Sequence, residues 1–336
     1  MARVLKRLLV WALLAGLLLL GGTLWWLNQP LLLDLPANAQ VLDLEIEPGT
    51  TANGVAAAVV ASGAQAPTVL LQTWFRLSGQ ARQIKAGSYE ITPGTTPRKL
   101  LTMLVRGEEA LKSVTLVEGW TFTQVREALA KAEQLGPQTQ GQTPDAVMQA
   151  LGKPGVHPEG RFFPDTYTYA KGSSDLAVLQ RAARAMDKRL AAAWTLRSAD
   201  SPLKTPEQAL VLASIVEKET GRPSDRGQIA GVFANRLKKG MLLQTDPTVI
   251  YGLGERFDGN LRKRDLLADT PYNTYTRAGL PPTPIAMPGR AALLAAVQPA
   301  ATNALYFVAK GDGTSQFSSS LDEHNRAVNR YIRGQK

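Results

Sequence analysis

The chain has 336 residues and a formal net charge of +10, with 44% hydrophobic and 20% charged residues. This composition is typical of a folded protein and excludes a largely disordered one. The absence of cysteine excludes disulfides, thiolate metal sites and cysteine nucleophiles. The two histidines, His157 and His324, lie far apart in the sequence and give no metal-ligand spacing. We therefore expect no metal and no cofactor.

The first predicted element is a transmembrane helix over residues 8–27. This stretch carries no charged residue, and as a helix it would be about 30 Å long, the thickness of a bilayer core. Basic residues precede it within residues 1–7, whereas the next one is Arg76. The positive-inside rule then predicts a cytoplasmic tail over 1–7, a single pass through the cytoplasmic (inner) membrane, and export of everything that follows to the periplasm or cell-wall space.

A cleaved signal peptide is the alternative interpretation of this segment, with residues 37–39 (Ala-Asn-Ala) as the cleavage site. The apolar run is longer than the usual signal core of about 7–15 residues, which favours a retained anchor. The positive charge of the exported part suits an anionic cell-wall polymer or anionic lipid headgroups. No nucleic-acid-binding motif is present, so nucleic acid is not an expected partner.

A short strand-turn-helix pattern follows in three copies, over residues 44–60, 89–104 and 115–129. In each copy a Gly supplies the turn and a Thr is placed to cap the helix. The second copy resembles the LysM module, which binds glycans that contain N-acetylglucosamine. We predict a small LysM-like α+β subdomain over 40–130. Ordinary turn chemistry of any α+β domain explains the pattern equally well, so no glycan contacts are assigned.

The helix predicted over residues 205–221 has the most complete set of end signals. Thr205 and Gln208 form a capping-box pair, Pro206 lies in the first turn, and Gly221 ends the helix.

Glu219 is the candidate catalytic residue on this helix. It shares one face with three apolar residues, Leu212, Ile215 and Val216. Burial and the negative end of the helix dipole would both raise its pKa, and a carboxyl that is protonated near neutral pH can act as a general acid. Two alternatives stay open: a structural pair between Glu219 and Arg236, and the same chemistry at Glu217.

Several sequence runs resemble the YceG-like endolytic murein transglycosylases. The runs are EGRFFPDTY (159–167), LASIVEKET (212–220), FANRL (233–237), LQTDPTVIYGLG (243–254), YNTY (272–275), GLPPTPIAMPG (279–289), LYFVAKGDG (305–313) and HNRAV (324–328). The resemblance implies a mixed α/β catalytic domain over 155–336. It also implies cleavage of the β-1,4 bond between N-acetylmuramic acid and N-acetylglucosamine to give 1,6-anhydro-muramyl ends, with Glu219 as acid and base.

The candidate substrate-binding residues are polar and lie in two turn-rich segments. They are Gln244, Thr245, Asp246, Tyr272, Asn273 and Thr274. Turn capping explains some of them equally well. Asn235 and Arg236, on the neighbouring predicted helix, are expected to brace Glu219 or to bind a substrate carboxylate.

The resulting hypothesis is a membrane-anchored lytic transglycosylase that acts on nascent peptidoglycan and ends glycan strand elongation. Its expected partners are peptidoglycan glycan strands, the cytoplasmic membrane and, by the resemblance, peptidoglycan synthases. A non-catalytic wall-binding scaffold and a hydrolytic muramidase that uses Glu219 with Asp246 or Glu217 are the alternatives.

Overall fold

The computed structural model describes residues 2–35, 41–108, 110–219 and 222–334. Helices combined with small two-stranded sheets confirm the α+β class. The chain divides into two units, Met1–Lys112 and Ser113–Lys336. The subdomain limits 40–130 and 155–336 stay predictions. The alternative cleavage site at 37–39 and the stop signal at Gly221 lie outside the described residues.

The first unit contains short strands and helices in alternation. Its elements are α1 (Ala2–Trp26), β1 (Leu32–Leu33), β2 (Leu42–Ile46), α2 (Ala52–Ala61), β3 (Ala64–Gln65), α3 (Thr68–Leu77), β4 (Gly87–Ile91) and α4 (Pro97–Arg106). Strand β2 pairs antiparallel with β4, with Leu44 opposite Tyr89, and β1 pairs with β3.

Membrane spanning is not supported by this structure. In the part of the chain that it describes, we find no helix that combines the length and the apolar character needed to cross a bilayer, and this includes the helix predicted over 8–27.

The predicted turn chemistry is confirmed at both repeats of the first unit. Gly49 and Gly94 have φ of 84° and 89°, the left-handed region that glycine adopts without strain. The hydroxyls of Thr51 and Thr96 accept hydrogen bonds from backbone N–H groups three residues later and cap α2 and α4. The third copy has the same chemistry at Thr121 but lies in the second unit.

The core of the first unit follows from alternation in β2 and helical spacing in α4. Leu42, Leu44 and Ile46 are buried, whereas the residues between them are exposed. They pack with the apolar faces of α2, α3, β4 and α4 in one cluster.

The second unit carries the rest of the elements. They are β5 (Leu111–Thr115, which starts at the end of the first unit), α5 (Phe122–Ala130), α6 (Pro144–Ala150), β6 (Thr166–Ala170), α7 (Asp175–Thr195), α8 (Pro206–Glu219), α9 (Pro223–Lys238), α10 (Asp246–Leu253), α11 (Lys263–Leu267), α12 (Arg290–Val297), β7 (Tyr306–Ala309), β8 (Ser315–Ser318) and α13 (Leu321–Tyr331). Strand β5 pairs with β6, and β7 pairs antiparallel with β8.

Helix α8 lies at the centre of the second unit. Every residue from Ala209 to Val216 is buried, and α8 packs against α7, α9, α10 and α12. The Thr205 hydroxyl accepts from the N–H of Gln208, as predicted, but the Gln208 side chain accepts from the N–H of Lys204 instead of Thr205. Between Ala209 and Val216 the helix is therefore buried on all sides, which is more than the single apolar face predicted for it.

Replacing Leu104 with Ala should destabilise the first unit by about 2–5 kcal/mol, because it leaves a cavity at a fully buried position of α4. Chemical denaturation followed by circular dichroism would measure the loss. Leu77→Ala is the control, since Leu77 is 81% exposed and its truncation should change the free energy of unfolding by less than about 0.5 kcal/mol. Equal losses for the two variants would contradict the described core.

Candidate active site

Glu219 faces a cleft of about 500 Å³ in the second unit. The cleft is lined by Glu219, Arg236, Leu243, Gln244, Asp246, Tyr275, Tyr306, Phe307, Leu321, His324 and Asn325. The lining thus comes from the end of α8, from α9, from the segment that leads into α10, from the loop between α11 and α12, and from β7 and α13. The sequence places these segments as much as a hundred residues apart.

The carboxyl of Glu219 is partly exposed to this cleft and otherwise enclosed. Burial raises its pKa above the ordinary value, and the nearby charge of Asp246 raises it further. The Thr245 hydroxyl donates a hydrogen bond to Glu219 Oε1, which acts in the opposite direction by favouring the ionised form. The balance keeps a proton on Glu219 at a higher pH than for a solvated glutamate, as a general acid requires.

Glu217 is in a different environment, although it lies only two residues away. Its Oε2 accepts from the N–H of Gly289 at 2.8 Å, and its Oε1 lies 3.9 Å from Arg226 Nη2. Its side chain is 6% exposed and does not line the cleft. Burial, together with the charge of Glu118, raises its pKa. Glu217 therefore joins α8 to the start of α12 and to α9, and of the two glutamates Glu219 is the one that faces the cleft.

Arg236 does not form the structural pair with Glu219 that we considered. Its guanidinium donates to the carbonyls of Leu242, Leu243 and Leu305 and to Gln244 Oε1, at 2.7–3.2 Å. Asn235, the other residue expected to brace Glu219, donates to the carbonyls of Thr302 and Ala304. Both side chains hold loops in place around the cleft, and Arg236 also lines it.

Thr245 contacts Glu219, and Gln244 and Asp246 precede and follow Thr245 in the chain; the substrate-binding role of the three stays a prediction. Gln244 and Asp246 line the cleft and are exposed. Gln244 has φ of 49°, a left-handed conformation that is uncommon outside glycine. Its N–H donates to the carbonyl of Thr274, and its side chain accepts from Arg236. Asp246 Oδ1 accepts a 2.5 Å hydrogen bond from the Tyr275 hydroxyl.

Thr245 is held by two further threonines. Its N–H donates to Thr274 Oγ1 at 3.1 Å, and the hydroxyls of Thr274 and Thr248 are 2.9 Å apart. Thr248 also donates to the carbonyl of Thr245. All three side chains are buried. Thr274 therefore positions the hydroxyl that contacts Glu219, and Thr248 is a part of this arrangement that the sequence did not indicate.

Tyr272, Asn273 and Thr274 are absent from the residues that line the cleft. Asn273 is 1% exposed, and its amide donates to three carbonyls between Asp265 and Ala268. The Tyr272 ring packs edge-to-face on Tyr251 at 4.9 Å. Their substrate-binding role stays a prediction. The contacts described here shape the loop that carries Tyr275.

The polar cleft residues that sequence reasoning missed are Tyr275, which directly follows the predicted Thr274, and Tyr306, His324 and Asn325, which lie in more distant segments. Each is within a run that carried the family resemblance. His324 stacks on Tyr306 with ring centres 5.1 Å apart, and burial together with the charge of Arg236 lowers the pKa of His324.

No group of three or more acidic or histidine side chains among the described residues could hold a metal ion.

A buried carboxyl outside the cleft supports Tyr251. Glu159 Oε2 accepts from the Tyr251 hydroxyl at 3.1 Å, and Oε1 accepts from the N–H of Phe122 at 2.9 Å. Burial raises the pKa of Glu159 from 4.5 to about 7. Since Tyr251 packs on Tyr272, Glu159 links the start of α5 to the loop beside the cleft.

Comparison with known proteins places most of the chain in one family. The model of the YceG-like family matches residues 44–330. A Bacillus subtilis (strain 168) protein named endolytic murein transglycosylase is 31% identical over 308 residues, which cover 87% of this chain and 85% of the relative. A protein of the same name from Streptococcus pneumoniae (strain D39) is 28% identical, and the match covers 74% of this chain and 51% of that relative.

A solved structure agrees with these sequence matches. The crystal structure of a YceG-like protein from Listeria monocytogenes aligns with a TM-score of 0.53 and 28% identity, and the alignment covers 85% of this chain and 98% of that one.

The wild-type chain should lose stability relative to Glu159→Gln as the pH rises from about 4.5 to about 7. The folded-state pKa of Glu159 lies above its ordinary value. The unfolded chain therefore releases this proton first, and the stability present below pH 4.5 is lost as the pH passes through the folded-state pKa. The difference corresponds to roughly 3 kcal/mol. Urea unfolding of both proteins between pH 4 and 8 would measure it.

The control for this measurement is Glu207→Gln, because the Glu207 side chain is 60% exposed on the first turn of α8. Its stability should follow that of the wild type at each pH. Parallel curves for the wild type and Glu159→Gln would show that Glu159 is not a buried acid.

Proposed function

Because the chain belongs to the YceG-like family, we propose that it is a lytic transglycosylase of peptidoglycan. It would cleave the β-1,4 bond between N-acetylmuramic acid and N-acetylglucosamine and leave 1,6-anhydro-muramyl ends. The observation that carries this proposal is the carboxyl of Glu219, which faces a polar cleft with a raised pKa. Cleavage within strands is inferred from the names of the relatives.

One carboxyl can supply both proton transfers of this reaction. Protonated Glu219 donates its proton to the glycosidic oxygen, and the bond between C1 and that oxygen breaks as positive charge develops on the sugar ring. The ionised Glu219 then accepts the proton of the muramyl C6 hydroxyl while that oxygen bonds to C1. Thr245 would hold the carboxylate in place between these two steps.

A hydrolytic muramidase is the second candidate, and Asp246 is the observation that favours it. Hydrolases commonly use two carboxyl groups, and Asp246 lies in the same cleft as Glu219. Glu217 is an unsuitable second carboxyl, because it is buried against Gly289 and Arg226. The two candidates differ in product, since a hydrolase leaves reducing ends and adds solvent oxygen.

We also propose that the chain works at the cytoplasmic membrane, with its N-terminus in the cytoplasm and everything after the stretch 8–27 in the periplasm or cell-wall space. Support comes from the sequence: basic residues precede the uncharged stretch 8–27, which would serve as the anchor. Peptidoglycan lies on the outer side, where growing strands and their synthases meet. Ending strand growth there is the proposed cellular role.

Glu219→Gln should abolish cleavage while the protein stays folded and bound to glycan, because an amide cannot donate the acid proton. Mass spectrometry of purified peptidoglycan after incubation would show 1,6-anhydro ends with the wild type only. Glu207→Gln, in the exposed first turn of the same helix, should retain wild-type activity. Reducing ends from the wild type would favour the hydrolase, and absence of products despite folding would favour a scaffold.

Membrane attachment should require residues 8–27. After cell fractionation, the full chain should sediment with cytoplasmic membranes, and protease added outside spheroplasts should digest the part beyond residue 113. A variant that begins at residue 41 and carries a cleavable export signal should be recovered in the soluble extracytoplasmic fraction. Recovery of the full chain in that soluble fraction would contradict the anchor.

A further inference from the structure

The cleft contains a second carboxylate in an environment unlike that of Glu219. Asp246 directly follows Thr245, whose hydroxyl donates to Glu219, and both acidic side chains line the same cleft. They are close enough for the charge of Asp246 to raise the pKa of Glu219. Two carboxyl groups in unlike environments within one site can serve different roles.

Three features of the surroundings of Asp246 bear on its role. The Tyr275 hydroxyl donates to its Oδ1 at 2.5 Å. The residue is the first of α10, where the positive end of the helix dipole favours an anion. It is also exposed, so water solvates its charge. Among the described residues its Oδ2 accepts no hydrogen bond, which leaves this oxygen for the substrate.

The reaction creates a positive charge beside this carboxylate. As the bond to the leaving oxygen breaks, C1 and the ring oxygen of the muramyl residue become cationic. Arg236 also lines the cleft, and its guanidinium would oppose that charge. An ionised side chain at the same site would offset it.

We propose that Asp246 is a second catalytic carboxylate, which stabilises the oxocarbenium charge without forming a bond, and that Tyr275 is its positioning residue. The role rests on the proposed function. Asp246 transfers no proton: the proton of Glu219 leaves with the glycosidic oxygen, and the proton of the C6 hydroxyl returns to Glu219. The charge of Asp246 therefore stabilises the reacting sugar only while C1 is cationic.

Asp246→Asn in the full chain removes the charge and keeps an acceptor for Tyr275. We expect kcat to fall about 100-fold, as for other losses of transition-state charge stabilisation, with the Kd for uncut glycan within about twofold of wild type. Tyr275→Phe should lower kcat about tenfold, because it removes a hydrogen bond to a charged group. Glu255→Gln, an exposed carboxylate in the turn after α10, is the matched control and should leave kcat unchanged.

Two readouts separate this role from a structural one. The first is affinity for a protonated muramyl iminosugar and for its neutral carbocyclic counterpart: Asp246→Asn should lose about tenfold or more for the cation and little for the neutral compound. The second is the pH profile of kcat. Activity falls as Glu219 ionises, and loss of the Asp246 charge lowers the pKa of Glu219, so the alkaline limb should move to lower pH.

Other titratable groups line the cleft with Glu219, namely Arg236, Tyr275, Tyr306 and His324. His324→Asn should leave the position of the alkaline limb unchanged if Glu219 produces it. Equal losses of affinity for both analogues, or kcat within threefold of wild type in Asp246→Asn, would overturn the proposal. Reducing ends from the wild type would overturn transglycosylation, whereas a retained cation preference that depends on Asp246 would still support this role.

Discussion

The hydrogen bond from Thr245 to Glu219 is the contact on which the site depends. It joins the end of α8, the central helix of the second unit, to the segment that supplies Gln244 and Asp246 to the cleft. A carboxyl at the end of a helix would otherwise be free to turn toward solvent. Held by Thr245, it keeps its burial and its raised pKa together with access to the cleft.

Around this contact, buried polar groups replace apolar packing. The hydroxyls of Thr245, Thr248 and Thr274 form one cluster, and Arg236 satisfies carbonyls on either side of it. Buried polar groups are tolerated when each has a partner, and a satisfied network fixes one arrangement more strictly than apolar contacts do. The cleft is therefore positioned by directional bonds on a scaffold of buried helices.

Local chemistry was readable from the sequence, whereas long-range contacts were not. The glycine turns and threonine caps follow from neighbours in the chain, and they occur at Gly49, Gly94 and Thr51 as predicted. The choice of Glu219 over Glu217 rested on one apolar face and on the family resemblance, yet α8 is buried on all sides between Ala209 and Val216. Glu217 contacts Gly289, whereas Glu219 lines the cleft, and this distinguishes the two glutamates. Helical periodicity predicts neither contact.

The sequence predicted only some of the cleft residues, because long-range contacts leave no local signal. Gln244 and Asp246 lie in a turn-rich segment, where polar side chains often have binding or catalytic roles. Tyr306 and His324 lie on a strand and a helix, where such residues usually belong to ordinary surfaces. Only the fold brings them to Glu219.

The left-handed backbone of Gln244 bears on how the cleft meets a ligand. For a residue other than glycine this conformation costs of order 1–3 kcal/mol and persists only where its surroundings hold it. Here the carbonyl of Thr274 and the guanidinium of Arg236 do so. A loop held in this way has few alternative conformations. A sugar chain would therefore bind to a preorganised groove, and the loop would lose little conformational entropy on binding.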